Sequence, residues 1–444
     1  MRVAFIQKDP LPHPLLMSLG AAVVFRGHQA RVFIPAAERD LKRAIGRYAP
    51  AAVVFAPPSG FHQWALNQAR VLKQSTGGAP MLFTGAHATD HRDFAREHGC
   101  DVVMTGDPET TLPEVLAKIH KERALPGTSG TVAWGSDGPI IGPPRAMVDD
   151  LDQLPLPDIE IYRRYPFIQQ QTTLGFAVGR GVLENTHAGF QIGLEELARR
   201  FQPARKHSVE EAIARILLLR QRRPFYRRVA FRDDSLLLDR VHWLPQFLER
   251  YGREVSLPFS CLARADHLDT ETVERLAEAG CKLVKLCIES GDPGLREGVV
   301  GSPVSDNDIL DSVDRLRTHN IGVQTLSFIG LPNETFETAL RTLDLNIRIA
   351  PDHAFALGVC QDEGQATSQE IEQLRDLLPV TVRFPSLRPM TTWAARQGPS
   401  TLHRRIFQWH HDASFVTSGE LAMRDIARIA TSMKRSRGEA LSSP

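Results

Sequence analysis

Short apolar runs recur along this chain with room for one helix between each, and that alternation constrains the fold more than any other feature. Between residues 1 and 124 the runs read RVAFI, ARVFI, AAVVFA, PMLFTG and DVVMTG, with helix-like segments such as Pro14 to Arg26 and Glu109 to Lys121 between them. Five βα units in about 120 residues predict a doubly wound, Rossmann-like parallel sheet. From 171 to 360 the alternation resumes with TTLGFAVG, RVAFRDD, VSLPFSCLA, KLVKLCIES, GVQTLSFIG and HAFALGV. Six such units predict a partial (β/α)6 TIM barrel whose working face lies at the strand carboxyl ends. The expected class is α/β: a Rossmann-like domain at 1–124, a Pro-, Gly- and Asp-rich linker at 125–170, and the partial barrel at 171–360. A C-terminal helical region at 361–433 and a disordered tail at 434–444 complete the expected organisation.

In a doubly wound sheet, ligands sit outside the carboxyl ends of the strands, at the switch in strand order. Here those ends carry the segments 9–14, Pro57-Pro58-Ser59-Gly60, Gly85-Ala86-His87-Ala88 and Gly106-Asp107-Pro108-Glu109. The candidate ligand-binding residues are His13, Ser59, Gly60, Gly85, His87, Gly106 and Glu109. Glycine lets backbone approach a ligand closely, although the same residues also punctuate ordinary loops. On this pattern alone a nucleotide and any other ligand fit equally.

Charge narrows the partner classes. Lys plus Arg (53) nearly cancels Asp plus Glu (52), which gives no field for nucleic acid or a membrane surface and leaves a small molecule as the expected partner. No apolar run approaches a membrane span, and MRVAFIQKDP turns polar too soon for a signal peptide, so the cytoplasm is the expected compartment. Five cysteines, Cys100, Cys261, Cys281, Cys287 and Cys360, are spaced too irregularly for a disulfide framework or a zinc ribbon.

Several motifs, in order, resemble the cobalamin-binding radical S-adenosylmethionine (SAM) family. The run Ser18-Leu19-Gly20-Ala21-Ala22 with Arg26-Gly27-His28, then TGAHAT, then TGDPETTLPEVL, looks like the cobalamin domain of that family. Thr84 replaces a family glycine and Asp107 a glutamate, and the DxHxxG signature is absent, since Asp9 and His13 have the wrong spacing. The family's LPxPD segment is matched by Leu154 to Asp158 with Tyr162 following. In the barrel, Phe231 to Asp234 resembles FxDDxF, Arg264-Ala265-Asp266 resembles sRxD, Cys287-Ile288-Glu289-Ser290-Gly291 resembles GxESG with Cys287 in place of the family glycine, and Gly330 to Thr335 resembles GxPGET. The resemblance implies bound cobalamin, with the seven loop residues above as its contacts.

One family feature is missing. Where family members read RGCPxxCxFCF, this chain reads Arg180-Gly181-Val182-Leu183-Glu184-Asn185-Thr186-His187-Ala188-Gly189-Phe190. The three thiolate places are Val182, Thr186 and Gly189, and a four-iron four-sulfur cluster requires soft thiolate ligands. The cluster is therefore expected absent, no metal-binding residues are assigned, and SAM, deprived of its anchor on iron, is expected to bind weakly or not at all. Cys261, Cys287 and Cys360 could converge inside the barrel, but buried free cysteines are commonly plain core residues.

Candidate catalytic groups are Asp233, Arg264, Cys287 and Glu289. Cys287 and Glu289 stand two residues apart on one strand, which in a regular strand places both on one face. As acid, base or nucleophile they would serve chemistry; otherwise they fill the space of a vacated cofactor. Asp233 could equally cap a helix near Ser235, His187 could reach cobalt or simply be solvated, and Glu334 suits a helix N-terminus. The Arg-rich run 197–228 reads as an amphipathic helix through Ile213, Ile216 and Leu217. The functional expectation is a cobalamin-dependent, methyltransferase-like enzyme using non-radical chemistry. Its rival is a non-catalytic accessory subunit of a partner radical SAM enzyme.

Overall fold

The computed structural model describes residues 1–8, 10–57, 62–90, 99–122, 127–135, 138–180, 205–233, 236–237, 239–358 and 368–397. They fall into two compact units, the first comprising Met1–Gln171 and the second beginning at Thr172.

In the first unit, strands β1 (Arg2–Ile6), β2 (Gln29–Phe33), β3 (Ala52–Phe55), β4 (Met81–Phe83) and β5 (Val102–Met104) coincide with the five apolar runs. Their order is β2-β1-β3-β4-β5, all parallel, so the order reverses between β1 and β3. Helices α1 (Pro14–Phe25), α2 (Leu41–Tyr48), α3 (His62–Lys73), α4 (Ala86–Asp90) and α5 (Pro108–Glu122) connect and follow the strands. Strands as apolar as β3 and β4, buried throughout, are what a sheet covered on both faces requires. Phe55 and Phe83 stack with centroids 4.8 Å apart in that core.

The expected linker at 125–170 is instead largely part of this unit. Strand β6 (Thr131–Gly135) pairs antiparallel with β5, and β7 (Gly138–Ile141) with β6, extending the sheet to seven strands. Farther on, Ile161 packs onto Gly20 of α1, where an added Cβ would stand 2.5 Å from the isoleucine Cγ2. The Pro- and Gly-rich composition hid both features because it reflects turns and close approaches, not solvent exposure.

The second unit holds a six-stranded parallel sheet in sequential order: β8 (Thr173–Phe176), β11 (Arg228–Phe231), β12 (Phe259–Arg264), β13 (Cys281–Glu289), β14 (Gly322–Ile329) and β15 (His353–Gly358). A two-stranded ribbon of β9 (Gly179–Arg180) and β10 (Arg205–Lys206) lies between β8 and β11 in the chain. The sheet curls as a half-barrel and matches all six predicted strands. Helices α6 (Pro166–Gln169), closing the first unit, α7 (Val209–Arg222), α8 (Trp243–Arg250), α9 (Thr270–Glu278), α10 (Pro293–Gly298), α11 (Asp306–Thr318), α12 (Phe336–Ile349), α13 (Gln369–Arg383) and α14 (Arg388–Ala395) complete the set.

Helix starts here are set by capping. Ser208, Asp269, Asp292, Ser305 and Thr335 each accept a backbone N–H of the first helical turn. Within the Arg-rich run, Val209–Arg222 form α7 with Ile213 and Ile216 buried as expected, whereas Leu217 is only partly buried and Leu219 takes its place on the packed face. No helix among the described residues is long and apolar enough to cross a membrane.

Candidate functional site

Parallel strands place residues in register on the same face, so pairing and burial together define the two surfaces of the half-barrel. Ala263, Leu286, Thr325 and Ala354 share the helix-covered face and are 0 to 5% exposed. One residue onward, Arg264, Cys287, Leu326 and Phe355 line up across β12 to β15 on the opposite, concave face. A second row beneath it holds Leu262, Lys285, Gln324 and His353. The surface is mixed, with Leu262, Leu326 and Phe355 beside the polar Arg264, Lys285, Gln324 and His353, so it offers both apolar contact and polar groups that could orient a ligand.

Of the four candidate catalytic residues, Arg264 and Cys287 face each other directly. Two nitrogens of the Arg264 guanidinium donate to the Asp266 carboxylate at 3.0 and 2.8 Å, which fixes the plane of the group. Glu289 departs from expectation. Between Cys287 and Glu289 β13 advances two residues while β14 advances one, so Glu289 comes level with Ser327, a residue of the buried set. Its φ of 61° is left-handed, and the alternation expected to keep it with Cys287 is broken there. Burial pushes the Glu289 carboxyl up, opposed by a hydrogen bond from Ser302 and by the Arg264 charge.

Asp233 belongs to a separate cluster. Its carboxylate accepts the Gly179 N–H, tying the end of β11 to β9, and the expected cap near Ser235 lies outside the described residues. Burial pushes this carboxyl up to about 7, with backbone hydrogen bonds opposing. Lys206 beside it is pushed down to about 8 by burial; its ammonium donates to the Leu236 carbonyl at 2.9 Å and lies 4.1 Å from the Trp243 ring centroid.

The convergence of Cys261 with Cys287 does not occur. Cys261 is an odd number of positions from Arg264, on the helix-covered face, and its thiol hydrogen-bonds to Cys281. That hydrogen bond, and after it burial, holds the Cys261 thiol well above its ordinary range, so it is no ready thiolate. Cys360, His187, Asp234 and the three substituted cluster positions lie outside the described residues. Among the described residues no group of three His, Cys, Asp or Glu could hold a metal ion.

Behind the strand ends, Glu289-Ser290-Gly291 is locked by side chains that sequence patterns did not single out. Gly291 donates to Thr342 Oγ1 at 2.9 Å, and the fully buried Arg296 donates to the Ser290 carbonyl at 2.8 Å and to Asp306 at 2.7 Å. Glu334 folds back onto the Gly330 and Leu331 amides, while Thr335 caps α12. Burial pushes the Glu334 carboxyl up to about 7. Lys285, Gln324 and His353 were also missed, though counting by twos from Cys287 along β13 reaches Lys285.

In the first unit, the loops at the carboxyl ends of β1, β4 and β5 are tied by a few bonds. The His13 amide donates to Tyr162 Oη at 3.0 Å, and that hydroxyl donates to Gln7, so the LPxPD segment with Tyr162 fastens the β1–α1 loop. Thr89 donates to the Gly85 carbonyl at 2.9 Å and accepts the Gly106 N–H at 3.2 Å, joining two candidate loops. Gly85 and Gly106 have φ of 97° and 76°, which explains glycine at both places. The His87 ring is buried and stacks on His62 with centroids 4.2 Å apart. Glu109 is buried in the first turn of α5, and Ser59 and Gly60 lie outside the described residues.

A strand order reversing between β1 and β3, with glycine-opened loops at the carboxyl ends, defines a flavodoxin-ordered ligand-binding unit, here in one chain with a six-stranded half-barrel. Residues 184–345, most of them in the half-barrel unit, match the Radical SAM superfamily. A protein of Pyrococcus horikoshii named as an uncharacterized methyltransferase is 22% identical over 349 residues, 77% of this chain and 74% of its own. Among solved structures, the radical SAM methyltransferase TsrM of Kitasatospora setae with cobalamin and a [4Fe-4S] cluster bound matches with a TM-score of 0.63 at 17% identity. That match covers 80% of this chain and 74% of TsrM. The cobalamin-dependent radical SAM enzyme OxsB matches with a TM-score of 0.60 at 14% identity, covering 85% of this chain and 55% of OxsB. Residues 184–345 thus match the Radical SAM superfamily, and the fold as a whole is similar to that of these enzymes.

Thr84 Oγ1, at the mouth of the β4 loop, is fully buried and has no hydrogen-bond partner among the described residues. A buried hydroxyl left unpaired costs about 1–3 kcal/mol.

Proposed function

We propose that this protein is a cobalamin-dependent methyltransferase of radical SAM architecture that works without the iron–sulfur cluster, by polar methyl transfer to a small-molecule substrate. The observation that carries the reading is the donor set at the cluster positions: Val182 and Gly189 offer no side-chain ligand and Thr186 a hard oxygen, while the concave face keeps an ordered set of polar groups. Cobalamin supplies a labile cobalt–carbon bond from which a methyl group leaves as a cation equivalent.

The corrinoid contacts in this reading are His13, Ser59, Gly60, Gly85, His87, Gly106 and Glu109. On the concave face Arg264, held planar by Asp266, orients an anionic or carbonyl group of the substrate. Leu326 and Phe355 exclude water from the apolar part, and Cys287 lies between them and Arg264. Glu289 and Asp233 act from behind, as a support for Arg264 and a clasp between strands. The position of Arg264 is the point at which binding becomes orientation.

The test loads the protein with methylcobalamin and follows loss of the cobalt–carbon absorption on adding indole, thiol and amine acceptors. Transfer without SAM or reductant supports the reading, and Arg264→Lys should lower kcat/KM about tenfold through loss of the bidentate fork. Transfer that requires both SAM and an electron donor contradicts it.

A further inference from the structure

The first unit contains a second concavity that the reading above does not use. A cleft of about 840 Å³ is lined by Arg2, Gln29, Arg31, Glu38, Arg39, Asp40, Arg43, Ala44, Arg47, Tyr48 and Arg164. Arg2 and Gln29 pair at the amino ends of β1 and β2, the sheet end opposite the candidate cobalamin loops. Six of the eleven lining residues are arginine, against 44 of 444 in the whole chain, and two are acidic.

Both acids are already engaged. Glu38 accepts two bonds from Arg164 at 2.6 and 2.7 Å and one from the Tyr165 hydroxyl at 2.6 Å. Asp40 caps α2 by accepting the Arg43 amide at 2.9 Å. Among the described residues Arg2, Arg31, Arg43 and Arg47 form no close ion pair with a carboxylate, and although the Glu38 charge reaches Arg31, six guanidiniums face only two carboxylates in the cleft. Arg43 and Arg47 stand one helical turn apart on α2, and Gln29 and Arg31 one strand period apart on the edge strand β2, so the cations come from two walls. The Arg31 guanidinium lies 4.5 Å from the Tyr48 ring centroid. Burial, and behind it the Arg163 and Arg164 charges, hold this guanidinium below its ordinary value.

We propose that this cleft binds a small molecule carrying two or more phosphate groups, of the diphosphate or triphosphate class. The volume lies within the range of small-molecule sites, about 300–1,000 Å³. Guanidinium forks match phosphate oxygens bidentately, and a ligand with several negative charges neutralises an excess that a single carboxylate would not. Glu38, held by Arg164 and Tyr165, orders the floor without cancelling the field.

Isothermal titration of the full chain with inorganic tripolyphosphate tests this. The protein should bind in the micromolar range, more weakly as salt is raised. Combining Arg43→Gln with Arg47→Gln, both on the exposed surface of α2, should weaken binding at least tenfold. Combining Arg253→Gln with Arg275→Gln, exposed positions in the second unit, should leave it unchanged. Phosphorus NMR line broadening of tripolyphosphate by the unaltered protein gives the same answer should the first variant fail to fold. No binding up to millimolar concentration, or equal weakening by both variant pairs, would overturn the proposal. Tighter binding of a hexaglutamate peptide than of tripolyphosphate would replace it with an acidic protein partner.

Discussion

At Gly291 the fold leaves room for a hydrogen and nothing more, because a Cβ there would stand 2.3 Å from the Arg341 carbonyl oxygen, which is backbone and cannot step aside. Gly291→Ala should therefore cost about 3 kcal/mol, read as a lowered midpoint in urea denaturation; an unchanged midpoint would refute the contact. Two buried carboxyls give the stability a pH dependence with a definite sign. Asp233 and Glu334, with ordinary values of 3.8 and 4.5, are both pushed up to about 7. The folded chain thus holds these protons more tightly than the unfolded chain, and their contribution is full below pH 4 and is lost as pH rises to about 7. Asp233→Asn with Glu334→Gln keeps the amide-accepting oxygens and should flatten the stability profile between pH 4 and 7. An unflattened profile would show that neither group titrates as described.

The elements show why much of the fold was legible and some of the site was not. Continuous apolar runs and helical spacing are local signals, and all eleven predicted strands formed within a few residues of their expected places. Capping is local too: Ser305→Ala, which opens the reciprocal cap of α11 with Asp308, should cost about 1 kcal/mol of stability. The β6 and β7 hairpin escaped because its pairing with β5 is non-local and its glycines and prolines resemble a linker. Gly142 shows how tightly that segment is held, since a Cβ there would stand 1.8 Å from the Thr128 carbonyl oxygen. The grouping of Cys287 with Glu289 failed at a bulge, where register is set by the neighbouring strand. Arg296 and Thr342, which lock the Glu289-Ser290-Gly291 turn, reach it from later in the chain, and no short motif announces them.

At the scale of the whole molecule, the chain holds a half-barrel and a flavodoxin-ordered unit, residues 184–345 match the Radical SAM superfamily, and the three places that resemble its cluster motif hold no cysteine. Thiolates elsewhere do not restore the site among the described residues, because Cys261 and Cys287 lie on opposite faces of one sheet and Cys261 pairs with Cys281. Retention of cobalamin should depend on the first unit alone. Replacing Gly85 by valine, a β-branched residue that the φ of 97° disfavours, should abolish corrinoid binding without altering the second unit's fold. Visible absorption after desalting checks that outcome, and retained colour would remove Gly85 from the binding set. The central claim is tested most directly by metal analysis after anaerobic reconstitution with hydroxocobalamin, iron and sulfide. One cobalt and no iron per chain is the expected result, and four irons per chain would contradict the account.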